Sequence, residues 1–153
     1  MITGRTEIVA HLGYPTESFT APMIYNPWFA HRGINAVVVP MAVKAADYAG
    51  FLRPLFRLGN IRGALVTMPH KVTTVGLLDA VSIAVEAAGS CNAILRRPDG
   101  SLYGDMFDGI GFTRAARRLG SCDRSAGAAG PGSSPAVSPG PQVAWCAPWP
   151  CGP

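Results

Sequence analysis

Four side chains stand where they could do chemistry: Thr67, Lys71, Asn92 and Asp108. Lys71 closes the stretch GALVTMPHK, residues 63–71, in which Ala64, Leu65 and Val66 form a short apolar run suited to a buried strand. Pro69 has no N–H to give and biases Met68 away from helix, so the strand stops there. Ligands of open α/β sheets sit in the crevice beyond the carboxyl ends of the strands. Thr67 and Lys71 fall at such an end. Asn92 follows Ala88-Gly89-Ser90-Cys91, and Asp108 lies in GDMFDGIG. A lysine and an aspartate brought together from separate strand ends make a proton-transfer pair, and an asparagine can hold a hydroxyl. That chemistry suits a polyol or sugar-like ligand. Each residue also has a plain structural reading. Lys71 could be a solvated turn residue, Asn92 a satisfied turn amide, and Asp108 a helix N-cap before Gly109.

The elements that must position these residues alternate in type. Ile8 to Leu12 reads as a first strand, ended by Gly13 and a turn-rich loop, GYPTESFTAP. A helix is predicted from about Pro22 to His31, ended by Gly33, with Pro27 kinking it or splitting it in two. Ile34 to Pro40 is a β-branched run fit for a strand buried on both faces. Ala45 to Leu58 has helical spacing interrupted by Pro54 and is closed by Gly59-Asn60. After the strand at Ala64 to Thr67, residues 72–78 read as a short helical or irregular segment. Ala80 to Ala88 reads as an Ala-rich helix with Asp79 as its cap and Gly89 as its end. Cys91 to Leu95 and Leu102 to Gly104 form a hairpin around Arg97-Pro98-Asp99-Gly100, placed as an antiparallel edge. A last helix is predicted over Phe112 to Leu119. The order implies an α/β fold, a three-layer α/β/α sandwich around a mostly parallel mixed sheet.

Composition excludes several function classes. The 153 residues are 48% hydrophobic and 14% charged, enough for one domain with a core. No apolar run reaches the ~18 residues a membrane span needs, and the N-terminus lacks the apolar run of a signal peptide. The expectation is a cytoplasmic protein with no membrane partner. The net charge of +4 is scattered, with Arg96-Arg97 and Arg117-Arg118 as single pairs, so no nucleic-acid partner is expected. The four cysteines include no C-x-x-C, so no metal site is expected. From Gly120 to Pro153 the chain changes character: Gly and Pro make up 13 of 34 residues, and apolar periodicity ends. The expectation is a domain at 1–119 and a disordered low-complexity tail at 120–153.

The anchors GYPTESFTAP, VTMPHK, AGSCNA and GDMFDGIGF, in this order and spacing, resemble the N-terminal substrate-binding domain of the shikimate dehydrogenase family. The resemblance runs from about Ile8 to Leu119. It implies an oxidoreductase that interconverts 3-dehydroshikimate and shikimate with a nicotinamide cofactor, usually NADP. It makes Lys71 and Asp108 the catalytic pair and has Thr67 and Asn92 hold ring hydroxyls. The implied partners are a small-molecule substrate and either a second copy of the chain or a separate cofactor domain. The departures are specific. Phe19 and Ala21 stand where the family has two serines that bind the substrate carboxylate. Leu65 replaces an asparagine, and Met106 and Phe107 replace an asparagine and a threonine. A buried carboxylate without donors is costly, which points to a less polar or differently substituted ring. No G-x-G-x-x-G follows a strand, so NADP would be bound by a domain absent from this chain. A truncated or frameshifted product is the corresponding expectation.

Overall fold

The computed structural model describes residues 1–109, together with Gly111 and Arg114. The predicted helix at 112–119 and the tail at 120–153 lie outside the described residues, apart from Arg114. Six strands form one mixed sheet, in the order β2-β1-β3-β5-β6-β4. They are β1 (Glu7–Gly13), β2 (Ala36–Ala42), β3 (Ile61–Val66), β4 (Ala80–Val81), β5 (Ala93–Arg96) and β6 (Leu102–Asp105). β1 pairs in parallel with β2 and β3, and β6 with β4, whereas β5 runs antiparallel to both its neighbours. The helices are α1 (Ala21–His31), α2 (Ala45–Leu55), α3 (Lys71–Val75) and α4 (Ile83–Ala88).

Alternation along β1 sorts the core into two faces, because successive strand side chains point to opposite sides. Ala10 and Leu12 join Ala64 and Val66 of β3 under Tyr48, Leu52 and Leu55 of α2 and Val85 of α4. Val9 points the other way and packs with Val38 and with Phe29 of α1. The result is the α/β/α sandwich that the order of elements implies.

Several elements depart from the sequence reading. Pro27 neither breaks nor splits α1, which is one helix of 11 residues. Asn26 anchors it to the sheet: its amide nitrogen donates to the Val38 carbonyl and its oxygen accepts the Val38 N–H, at 3.2 and 2.7 Å. Met23, whose carbonyl loses its i+4 donor to the proline, is exposed, so water can serve it. β2 is not a central strand buried on both faces. It is an edge strand in which only Val38 is buried. An edge admits Pro40, which a central strand excludes. The Asn26 clamp occupies the outward backbone groups that an edge strand leaves open.

α2 stops at Leu55, short of the expected Leu58, which is exposed. Pro54 sits in its last turn, and Arg96 donates to the carbonyls of Phe56, Leu58 and Gly59, holding the chain that leaves the helix. Asp79 does not cap a helix at Ala80. It accepts the Leu102 N–H at 2.8 Å and pairs with Arg53, so Ala80–Val81 run as β4. Ser82 is the cap of α4, its hydroxyl accepting the Val85 N–H. Gly89, at φ 60°, ends that helix in the left-handed conformation open to glycine. The β5–β6 hairpin forms as expected but lies inside the sheet, because β4 closes the edge beyond it. β3 spans Ile61–Val66, which leaves Thr67 just past its end.

Candidate active site

Backbone hydrogen bonds bring the carboxyl end of β3 and the start of β5 together. Asn92 accepts the Val66 N–H at 2.8 Å and donates its own N–H to the Asp105 carbonyl at 3.1 Å. The Cys91 N–H donates to the Lys71 carbonyl at 2.9 Å. Lys71, the first residue of α3, is thereby tied to the segment that carries Asn92. Its Nζ donates to Asp108 Oδ2, and Asn92 Nδ2 donates to Asp108 Oδ1. Asn92 Oδ1 accepts the Phe107 N–H at 3.0 Å, which fixes which way the amide faces. A carboxamide has two such hydrogens, and the second has no acceptor among the described residues.

Three of the four candidate residues thus form one cluster. Asp108 begins a helical turn, and its carboxylate accepts from Lys71 and Asn92. The side chains of Lys71 and Asp108 are 26% and 56% exposed, so the pair opens toward solvent and can be reached. Thr67 stands apart from the cluster. Its N–H donates to the Leu12 carbonyl and its carbonyl accepts from His70, while its side chain makes no hydrogen bond among the described residues. It lines a neighbouring cavity of about 450 Å³, together with His11, Tyr14, Phe19, Ala21 and Tyr25.

Two contributors escaped the sequence reading. Asp105 accepts from the Ser82 hydroxyl at 2.7 Å and from the Met106 N–H at 2.8 Å, and so fixes the segment leading to Asp108. Its signal was present as the first acid of GDMFDG. His70 is 1% exposed; its ring stacks on Tyr48 at 3.9 Å and its Nε2–H donates to the Val43 carbonyl at 2.7 Å. It secures the turn immediately before Lys71.

Gly13 holds the cavity wall together. A Cβ there would lie 2.6 Å from both the Phe19 ring and the Thr67 methyl, and 2.9 Å from the Met68 carbonyl. Gly13→Ala is therefore expected to lower unfolding stability by ~1–3 kcal/mol, as overpacking does. Urea denaturation measures this. An unchanged midpoint would mean that the loop and strand end move apart freely.

Residues 12–94 match the family described as the shikimate dehydrogenase substrate binding domain, and the chain belongs to that family. It is 38% identical over 119 residues to a shikimate dehydrogenase (NADP(+)) of Rubrobacter xylanophilus, a match covering 78% of this chain and 42% of that one. A shikimate dehydrogenase (NADP(+)) of Cereibacter sphaeroides is 33% identical over 143 residues, covering 92% of this chain and 46% of the relative. Shikimate 5-dehydrogenase from Listeria monocytogenes, solved in complex with shikimate and NAD, superposes with a TM-score of 0.73 at 31% identity. That match covers 78% of this chain and 40% of the other. The chain thus spans less than half the length of the curated relatives it matches.

A dinucleotide needs a glycine-rich strand-to-helix turn with room for a pyrophosphate. The turn after β1 has one glycine, Gly13, and its space is filled by Phe19, Thr67 and Met68. No other described strand-to-helix turn contains a glycine. The described residues therefore do not fit NADP, and no step through it is assigned to them. Among the described residues no group of three or more His, Cys, Asp or Glu could hold a metal ion, and no helix is long and apolar enough to cross a membrane.

Proposed function

We propose that residues 1–119 are the substrate-binding part of a shikimate dehydrogenase-like oxidoreductase. Its substrate is 3-dehydroshikimate and shikimate or a related cyclic polyol, and its NADP is bound outside the described residues. The observation that carries this reading is the Lys71–Asp108–Asn92 cluster, which the chain reaches one turn after Thr67, a residue lining the cavity with Phe19 and Ala21. As an ammonium, Lys71 gives a proton to a ring carbonyl oxygen as the carbon bearing it is reduced, and takes it back in the reverse direction. Asp108 holds the ammonium in place, and Asn92 holds Asp108 through its other oxygen. Thr67 and the remaining Asn92 N–H contact ring hydroxyls. The protein is read as cytoplasmic, with a second copy of the chain or a separate cofactor domain as its partner.

The lining favours a ring that differs from shikimate. With Phe19 and Ala21 on the cavity wall, shikimate should bind weakly. Serine at both positions should tighten it by roughly tenfold for each restored hydrogen bond to the carboxylate. Calorimetry with shikimate and quinate on the natural chain and the double variant tests this. Tight binding by the natural chain would place the carboxylate on other donors.

The absence of a phosphate cradle among the described residues favours one alternative, a non-catalytic small-molecule binding domain. Mixing the chain with NADP, shikimate and a cofactor-binding domain from a relative, and following nicotinamide absorbance, separates the two. Turnover supports the oxidoreductase, whereas shikimate or polyol binding without turnover supports the binding domain.

A further inference from the structure

Among the described residues lining the cavity, His11 alone has a side-chain polar atom that is buried without a hydrogen-bond partner. It lies on β1, is 8% exposed, and faces the cavity beside Phe19, with ring centroids 4.2 Å apart. Its Nδ1 is sealed from solvent without a hydrogen-bond partner, and neither ring nitrogen bonds to any described residue. Nδ1 is out of a ligand's reach, but Nε2 is not sealed, and on a ring this buried it is there that a ligand can supply the partner buried polar groups normally have. An unpaired buried N–H is rarer than an unpaired buried acceptor. The ring proton therefore belongs on Nε2, the nitrogen not sealed, which makes it a donor into the cavity. Burial lowers the imidazole pKa, keeping the ring uncharged at neutral pH.

Among the described residues, no lysine or arginine lines this cavity. Ser18 and Thr20 border it, but both are exposed, while Phe19 between them turns inward. A carboxylate placed against His11 and Phe19 would meet no cation among the described lining residues. A ring substituent with an uncharged oxygen needs only one donor and an apolar surround, and His11 with Phe19 and Ala21 supplies both. We propose that His11 is a specificity-determining residue whose Nε2–H donates to an uncharged carbonyl, ester or hydroxyl oxygen of the ring ligand, at the end of the cavity bounded by Phe19. This rests on the cavity being the ring-binding site of the proposed function.

The test is calorimetry on the full chain with shikimate and its methyl ester as probes, for the natural chain, His11→Phe and His11→Gln. The natural chain is expected to bind the ester more tightly than shikimate. His11→Phe keeps the ring stack and removes the donor, and should weaken the ester roughly tenfold. Its melting temperature should hold or rise, because an orphaned polar atom has gone. His11→Gln places an N–H near the former Nε2 and should recover most of the affinity. With three histidines in the chain, the ring nitrogens can be followed by ¹⁵N NMR, and the His11 signals should shift on adding the ester. If the ester binds but His11→Phe binds it equally well, or the His11 signals stay still, the role of His11 is overturned and the cavity reading stands. If shikimate binds more tightly than its ester, the uncharged-ligand inference is overturned. If neither probe binds the natural chain, the cavity reading falls, and this inference with it.

Discussion

Lys71→Ala is expected to lower turnover by roughly 10²–10⁴-fold, the contribution typical of a positioned general acid–base group. The assay supplies NADP and a cofactor-binding domain, by fusion or mixing, taken from a relative such as the Rubrobacter xylanophilus enzyme. The expectation follows from how closely the ammonium is specified. The Lys71 carbonyl is held by the Cys91 N–H, its Nζ lies on Asp108, and Asn92 fixes Asp108 from the other side. A loss in kcat matched by kcat/KM would mark an interaction made only in the transition state. Asp108→Asn should also be slow, and the double variant little slower than Lys71→Ala alone, because groups that act as a unit are not additive. Unchanged melting temperatures would rule out unfolding as the cause. Unchanged turnover in Lys71→Ala would remove the lysine from the chemistry.

The convergence of Lys71, Asn92 and Asp108 was legible because each sits in a short polar break just past an apolar strand or turn, and strand ends meet at one rim of a sheet. Their hydrogen bonding to one another was not legible. It depends on the register that sets Asn92 between Val66 and Asp105, and pairing register is a long-range property. β4 was invisible for a related reason. Two residues carry no periodicity, and Ala80–Val81 become a strand only because β6 lies beside them and Arg53, 26 residues away, draws Asp79 from its expected cap. Pro27 misled because the Asn26 clamp that holds α1 is a contact with a strand, which helix rules do not contain. Likewise, the run INAVVVP looks the same at an edge as at a centre; Pro40 was the available clue to the edge. His11 gave no signal, since a single histidine between Ala10 and Leu12 is uninformative until the cavity and its missing partners are seen.

Tyr48→Ala is expected to lower unfolding stability by ~3–5 kcal/mol, the range for emptying a large buried aromatic site. Tyr48 is fully buried and stacks on His70 at 3.9 Å. Its hydroxyl lies 2.7 Å from Thr74 Oγ1, and Thr74 donates its own proton to the His70 carbonyl at 2.8 Å. One hydroxyl has one proton to give, so Tyr48 must be the donor to Thr74. The chain Tyr48 to Thr74 to His70 ties α2 to the turn that carries Lys71. Tyr48→Phe keeps the ring and should cost only ~0.5–1.5 kcal/mol, the net value of one hydrogen bond. Urea unfolding at neutral pH separates the two variants. A loss below ~1 kcal/mol for Tyr48→Ala would show that the core is not built on this ring. Alkaline titration adds an independent sign. Burial pushes the Tyr48 phenol up to about 12. Above pH 10 the unfolded chain loses this proton first, so stability should fall as pH rises from about 10 through 12. Tyr48→Phe has no such proton and should lose less stability across that window. An equal fall in both chains would place the alkaline transition on other groups. Because a domain of this size is stable by only ~5–15 kcal/mol, Tyr48→Ala should leave the least margin around Lys71, and proteolysis of the variant should open the segment around residues 68–75 first.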